Sequence, residues 1–385
     1  MTQFATMQQA LTKRRQQQLH RSQRCMQPLP DGMVRVQGKD YLNFSGNDYL
    51  GLAQDPAVLV ALTEGASRFG LGSTGSPLVT GFQYPHQALS ELLCDWLGFD
   101  EVLLFSSGFA ANQAMLQTLV ANDERILLDK LSHASLIDAA TAHAGGFKRF
   151  LHNDLSSLHQ LLTQHPAGKA VVVTEGVFSM DGDSPDLAAM AALCGQHQAP
   201  LLLDDAHGLG VFGAEGRGSW QLQGVASSQL QALMANFGKA LGGSGGFIAA
   251  SATVIDYLRQ FGRHYIYSTA LSPALCWAQR KAVQLCRQDE WRRERLQQHL
   301  CLFKQLAQAA DIPLLPSGSA IQPVLVGDAS RCLALSQALQ QKGIWLTAIR
   351  PPTVAAGKAR LRITLSAAHQ PEHIRRLVAA LQELF

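Results

Sequence analysis

The chain lacks any cysteine pair at Cys-x-x-Cys spacing, although it contains seven cysteines. An odd, scattered set of this kind argues against a disulfide framework or a zinc site, so no metal is expected and the compartment reads as reducing. No apolar run approaches the roughly 18 residues of a membrane span, and the amino terminus has no signal-peptide core. A cytoplasmic protein without a membrane partner is expected. Charge is also scarce, at 16% of residues with a net +3, which is too little to argue for nucleic acid. The local basic runs Lys13-Arg14-Arg15 and Arg292-Arg293-Glu294-Arg295 have helical surroundings and read as solvated helix faces.

What the chain does have is apolar content, 47% over 385 residues, enough for one large core and a smaller one. Residues 1–45 read as an exposed helix, a Pro-rich connector and a hairpin turning at Gly38-Lys39. Residues 46–275 form the large domain, in which apolar strands near 102–105, 125–128, 170–174 and 200–204 alternate with helical segments. That rhythm predicts an α/β fold, a mainly parallel sheet with helices on both faces. Residues 276–385 read as a smaller α+β domain of long Gln- and Arg-rich helices followed by short strands, one of them spanning 344–349.

Within this frame one lysine stands out. Lys239 lies in Ala-Asn236-Phe-Gly-Lys-Ala-Leu-Gly-Gly-Ser-Gly-Gly, between apolar runs at 231–234 and 247–250. A lysine held in a Gly-rich turn at a strand end sheds hydration and can act as an amine nucleophile toward a carbonyl. A second strand, Pro200 to Leu203, ends in Asp204-Asp205-Ala206-His207. Pyridoxal phosphate needs a carboxylate against its pyridinium nitrogen, and Asp204 can supply it, whereas Asp205 reads as a turn residue.

In parallel sheets the ligand crevice lies beyond the carboxyl ends of the strands. Gly108, His133, Ser179, Asp204, His207 and Lys239 all fall in turns just after a strand. The amides of Ser107, Gly108 and Phe109 open a helix and suit a phosphate dianion. His133 can lie flat over the ring, and Ser179 with His207 can hydrogen-bond its phenolic oxygen. Elsewhere, Arg21 and Arg24 end the first helical stretch, where an arginine near a cleft can hold a carboxylate bidentately. Arg350-Pro-Pro-Thr353 and Arg360-Leu-Arg362 are the polar features of the last domain. Alternation puts Arg360 and Arg362 on one sheet face, either a solvated edge or an anion site.

Rival motifs fail on context. Gly70-Leu-Gly-Ser-Thr-Gly75 matches a dinucleotide fingerprint but follows a helical pattern, and Gly208-Leu-Gly-Val-Phe-Gly213 is not followed by a helix. Gly242-Gly-Ser-Gly-Gly246 matches a hydrolase elbow, but a strand, not a helix, comes next.

The stretches Asn47-Asp-Tyr-Leu-Gly-Leu52, Ser107-Gly-Phe-Ala-Ala-Asn112, Asp129 to Ser135, Glu175-Gly-Val-Phe-Ser-Met-Asp-Gly182, Asp204-Asp-Ala-His-Gly208 and Phe237-Gly-Lys239 together resemble the α-oxoamine synthases. These are fold-type I pyridoxal phosphate enzymes that join an amino acid to an acyl thioester with loss of carbon dioxide. The resemblance runs in order over nearly the whole chain. Ala320 to Asp328 and Ala348 to Val354 resemble the biotin-pathway branch, which implies L-alanine and a pimeloyl thioester as substrates; the alternative is a sister acyltransferase using glycine and acetyl-CoA.

The resemblance implies that Lys239 carries the cofactor, Asp204 pairs with its ring nitrogen and His133 stacks on it. Arg362 is implied to bind the amino acid's carboxylate. Asn47, Arg21, Arg350 and Thr353 make up the rest of the substrate-binding set, with Arg21 or Arg350 as candidates for the distal acyl carboxylate. Asn236 stands where the family usually has a phosphate-binding threonine. Tyr267-Ser268-Thr269 resembles the segment that reaches a neighbouring subunit's phosphate, which implies a homodimer with shared sites.

Overall fold

Strand residues Ala170–Glu175, Leu201–Asp204 and Gly246–Ala250 are buried without exception, so both faces of their sheet are covered. The computed structural model describes residues 3–17 and 19–385. Met1, Thr2 and Gln18, part of the expected first helix, lie outside the described residues. The chain divides into two compact units, residues 47–179 with 183–296, and residues 1–46 with 180–182 and 297–385.

The first unit holds a seven-stranded sheet in the order Glu101–Phe105, Gly246–Ala250, Ala232–Asn236, Leu201–Asp204, Ala170–Glu175, Arg125–Asp129, Phe147–Phe150. Five neighbouring strands are parallel, and Gly246–Ala250 runs antiparallel to both of its neighbours. Side chains alternate across the sheet. Phe105, Leu128, Val173, Leu202, Met234 and Ile248 pack in one layer with helices Gly108–Leu119, Ala134–Ala142 and Ala252–Phe261. Helix Pro273–Gln288 packs against Pro56–Phe69 and Tyr84–Leu97, so it belongs with the sheet unit, not with the smaller α+β domain expected from residue 276.

The second unit has a four-stranded sheet, Met26–Leu29, Met33–Val36, Lys39–Asn43 and Ile344–Trp345, and a three-stranded one, Ile321–Gly327, Ala359–Thr364 and Ala348–Ile349. Three expectations change here. The connector before Pro30 is a strand, because Met26–Leu29 pairs with Met33–Val36. The expected strand 344–349 is two short strands in different sheets. The first helix, expected to run to about residue 25, stops at Gln16; it is exposed as expected and buries none of its described residues.

The run Arg292-Arg293 is not a solvated face. Arg292 is buried and donates to Asp55 at 2.6 Å, Asp289 at 3.1 Å and the Leu50 carbonyl at 3.1 Å. Arg293 is buried against Glu290 and the Cys286 carbonyl. Charge density in sequence does not reveal that the carboxylates of distant segments have come to meet it.

Candidate active site

Five strand ends in the sheet unit build the site. Strand Glu101–Phe105 delivers Ser107, whose Oγ accepts the Ala110 N–H at 3.1 Å and caps helix Gly108–Leu119. The helix amino terminus presents its first amides and positive dipole end there. A Cβ on Gly108 would stand 3.3 Å from the Asn236 Cβ, so glycine lets Asn236 lie against that first turn. Asn236 Oδ1 accepts the Gly238 N–H at 3.0 Å. Phe109 is exposed, so its contribution to the site is its backbone amide.

Lys239 is half-buried in the turn between strands Ala232–Asn236 and Gly246–Ala250. The Phe237 N–H to Gly245 carbonyl bond, 3.0 Å, and the Gly243 N–H to Phe237 carbonyl bond, 2.7 Å, close that turn. Gln279 of helix Pro273–Gln288 packs so tightly on it that a Cβ at Gly243 would fall 1.4 Å from the glutamine Nε2. The lysine ammonium opposes protonation of His133 and favours the ionised forms of Glu175 and Asp205, which places all four in one electrostatic neighbourhood.

Asp204 ends its strand beside Glu175 on one side and Met234 on the other. Its carboxylate accepts the Asn112 side-chain amide at 2.7 Å and the Ala206 N–H at 3.0 Å. Glu175 is buried; burial, then the Asp204 charge, raises its pKa well above the ordinary carboxylate range, and it accepts the His133 backbone N–H. Asp205 is a structural carboxylate, accepting the Ser219 N–H at 2.7 Å and hydroxyl at 2.6 Å, while burial pushes its pKa to about 7.

His133 caps helix Ala134–Ala142; its side chain is exposed on one side, and partial desolvation by the protein around it lowers its pKa. His207 is buried, its Nδ1 2.7 Å from the Tyr49 hydroxyl, which in turn donates to Asn47 at 3.2 Å. Asn47 and His207 are thus brought together through Tyr49. Ser179 lies half-buried beyond strand Ala170–Glu175. Thr269 is exposed in a loop against Ser73 and Gly75, where the Ala270 N–H donates to the Gly75 carbonyl at 3.0 Å. Tyr49, Asn112, Ser135 and Glu175 were not singled out from sequence. All four lie inside the quoted motifs, which is the signal that could have found them.

Beyond Ser179, the Phe178 N–H bonds the Asp183 carbonyl at 2.9 Å, and His152 bridges Asp129 at 2.9 Å and Asp183 at 2.8 Å. Burial would lower the His152 pKa, but the two carboxylates outweigh it and raise it to about 10. The unfolded imidazole titrates near about 6.5. The stability this group contributes is therefore complete below that pH and is lost as the pH rises through 10. The melting-temperature gap between wild type and His152→Gln is expected to shrink between those limits; a gap constant with pH would contradict the assignment.

The second unit holds the remaining candidates. Arg21, Arg350 and Thr353 line one cavity of about 790 Å³ together with Trp345 and Ile349. Arg21 donates to the Thr353 hydroxyl at 3.4 Å. Arg360 and Arg362 are buried on the central strand of the three-stranded sheet, which removes the solvated-edge alternative. Arg360 is paired with Asp181 at 2.5 Å.

The sequence pattern of the aminotransferase class I and II family matches residues 39–381. The chain belongs to that family. Among curated members it is 52% identical over 352 residues to 8-amino-7-oxononanoate synthase of Yersinia enterocolitica, covering 90% of each chain. It is 47% identical over 379 residues to the Photobacterium profundum enzyme of that name, covering 97% of this chain and 95% of the other. A solved structure of SPT with PLP superposes with a TM-score of 0.95 at 28% identity, over 100% of this chain and 98% of that one. The resemblance to α-oxoamine synthases and the fold-type I architecture are both borne out, and the mixed, mostly parallel sheet is this family's.

Proposed function

We propose that the chain is a pyridoxal phosphate-dependent acyltransferase that condenses L-alanine with a pimeloyl thioester, releasing carbon dioxide and the free thiol carrier and giving 8-amino-7-oxononanoate for biotin synthesis. The observation that carries this reading is the half-buried Lys239 in the same charged neighbourhood as Asp204 and His133, in a chain 52% identical to a synthase of that product. The residues fit the cofactor: a helix amino terminus for its phosphate, an amine for its aldehyde and a buried carboxylate for its ring nitrogen. When bound, pyridoxal phosphate withdraws electrons from the amino-acid Cα, so that this carbon can lose a proton and attack a thioester.

The chain's own residues do the rest. Lys239 would hold the cofactor through its amine, and the same amine would take the Cα proton and return one. Asp204 keeps the ring nitrogen protonated; its hydrogen bonds from Asn112 and Ala206 hold the carboxylate in place. His133 covers the ring, and Ser179 and His207 hydrogen-bond the phenolic oxygen. Ser107, Gly108, Phe109 and Asn236 bind the phosphate. Arg362 binds the alanine carboxylate, while Asn47, Arg21, Arg350 and Thr353 serve the acyl substrate. Wild-type protein is expected to form product from L-alanine and a pimeloyl thioester in large excess over glycine with acetyl-CoA. The reverse preference would transfer the chain to the sister acyltransferases.

Arg21 or Arg350 recognises the distal pimeloyl carboxylate from the cavity they share. Loss of a charge-assisted bond costs about 1.5–3 kcal/mol, roughly 10- to 100-fold. Arg21→Ala or Arg350→Ala is expected to lose that much discrimination between pimeloyl and heptanoyl thioesters. Unchanged discrimination in both variants removes both residues.

A homodimer accounts for the apolar surface of the sheet unit. Leu71 is 87% exposed, Val79 78% and Tyr267 70%. The segments of Leu71 and Tyr267 are tied together by the Ser272 hydroxyl on the Leu71 carbonyl, 2.6 Å, and the Ser73 hydroxyl on the Ala270 carbonyl, 2.7 Å. Exposed apolar side chains of this kind suit an interface, and a homodimer formed there supports the reading that Thr269 serves a second subunit's phosphate. Sedimentation at the mass of a single chain would remove the dimer. No helix of the described residues is long and apolar enough to cross a membrane, and the seven cysteines are free thiols, which suits the reducing cytoplasm we assign.

A further inference from the structure

We propose that Asn112 and Ser135 are positioning residues that fix His133 as a neutral imidazole carrying its proton on Nε2. The argument is a count of donors. The Ser135 backbone N–H donates to His133 Nδ1 at 3.2 Å, and the Ser135 hydroxyl lies 2.8 Å from the same nitrogen. A ring nitrogen that bears a proton cannot accept, so Nδ1 is bare and Nε2 holds the hydrogen.

The hydroxyl oxygen is held in place one step further back. Asn112 Nδ2 donates to Ser135 Oγ at 2.9 Å and to Asp204 Oδ2 at 2.7 Å. A carboxylate only accepts, so the amide must turn its NH₂ toward Asp204, and its second hydrogen then falls on Ser135 Oγ. The oxygen keeps a second lone pair, so it is the bare Nδ1, already accepting the Ser135 N–H and able only to accept, that draws the hydroxyl hydrogen. The cost of this orientation is visible: Asn112 Oδ1 is buried without a hydrogen-bond partner. Asn112 and Ser135 are both buried, so water does not compete for these donors.

Polarity thus runs outward from the amide, to Asp204 on one side and through Ser135 to His133 on the other. Partial desolvation is what most opposes protonation of His133; among the charges that face it, Asp204 and Asp138 favour protonation, Lys239 opposes it, and Glu175 accepts its backbone N–H. The ring presents one donor and no positive charge to whatever lies against it. That last use rests on the reaction proposed above, whereas the tautomer does not.

The test is ¹⁵N NMR of histidine-labelled full-length protein, with and without pyridoxal phosphate, the His133 signals assigned by their loss in His133→Gln. Wild type is expected to show Nε2 protonated and Nδ1 bare between about pH 6.5 and 8, with a ring pKa below the usual value near about 6.5. Ser135→Ala and Asn112→Ala are each expected to mix the tautomers and raise that pKa, while Ser135→Thr, which keeps the hydroxyl, retains the wild-type pattern. A wild-type ring protonated on Nδ1 overturns the inference whether or not the variants fold. An unchanged ring in either alanine variant overturns the relay. Product formation by the same wild-type sample reports separately on the reaction.

Discussion

Replacing Lys239 by alanine is expected to lower kcat for product formation by at least about 10⁴-fold, because one amine serves as anchor, base and proton donor. The loss is chemical, not structural. Lys239 is only half-buried, and its turn is closed by the backbone bonds of Phe237, Gly243 and Gly245, which alanine leaves intact. The variant is therefore expected to melt within a few degrees of wild type. Steady-state kinetics of folded Lys239→Ala checks this, and turnover within tenfold of wild type would dismiss the lysine from the chemistry.

Asp204→Asn has the second-largest expected effect, a kcat lower by roughly 10³-fold. The asparagine oxygen can still accept from Asn112 or from the Ala206 N–H, so the site keeps its shape. The negative charge that holds the ring nitrogen protonated is gone. Beside it, Glu175 loses the charge that helps to raise its pKa, so that pKa falls. The same neutralisation removes one of the charges that favour protonated His133, and the imidazole pKa falls further below its ordinary value. A variant with wild-type kcat, or one in which neither pKa moves, would mean that Asp204 is not the ring's counterion.

Much of this is legible in the sequence. The order of strand, turn and helix located Ser107, His133, Asp204 and Lys239 at strand ends, because binary patterning reports local structure directly. Their convergence also followed, since the carboxyl ends of parallel strands share one edge of the sheet. What stayed hidden depended on strand order and on partners distant in sequence. Arg360 and Arg362 were divided between an edge and an anion site; only their place on the middle strand of three settles the former. The split of residues 344–349 has the same origin, because each half pairs with a strand from a different part of the chain. Arg292 reads as surface charge until Asp55 and the Leu50 carbonyl are known to face it.

The hydrogen-bond network behind the site was hidden for a related reason. Asn112 sits four residues beyond Gly108 on the same helix, and its spacing gives no hint that Asp204 and Ser135 flank it. Tyr49 likewise looks like one more apolar anchor of its loop, yet its hydroxyl bridges Asn47 and His207. In both cases the residue type was visible and its partner was not.

The most direct test of the central claim is borohydride reduction of the protein loaded with pyridoxal phosphate, followed by peptide mass mapping, with and without prior addition of L-alanine or glycine. The account predicts a single pyridoxyl group on Lys239, prevented by L-alanine at far lower concentration than by glycine. A label on another lysine, or none at all, would contradict it.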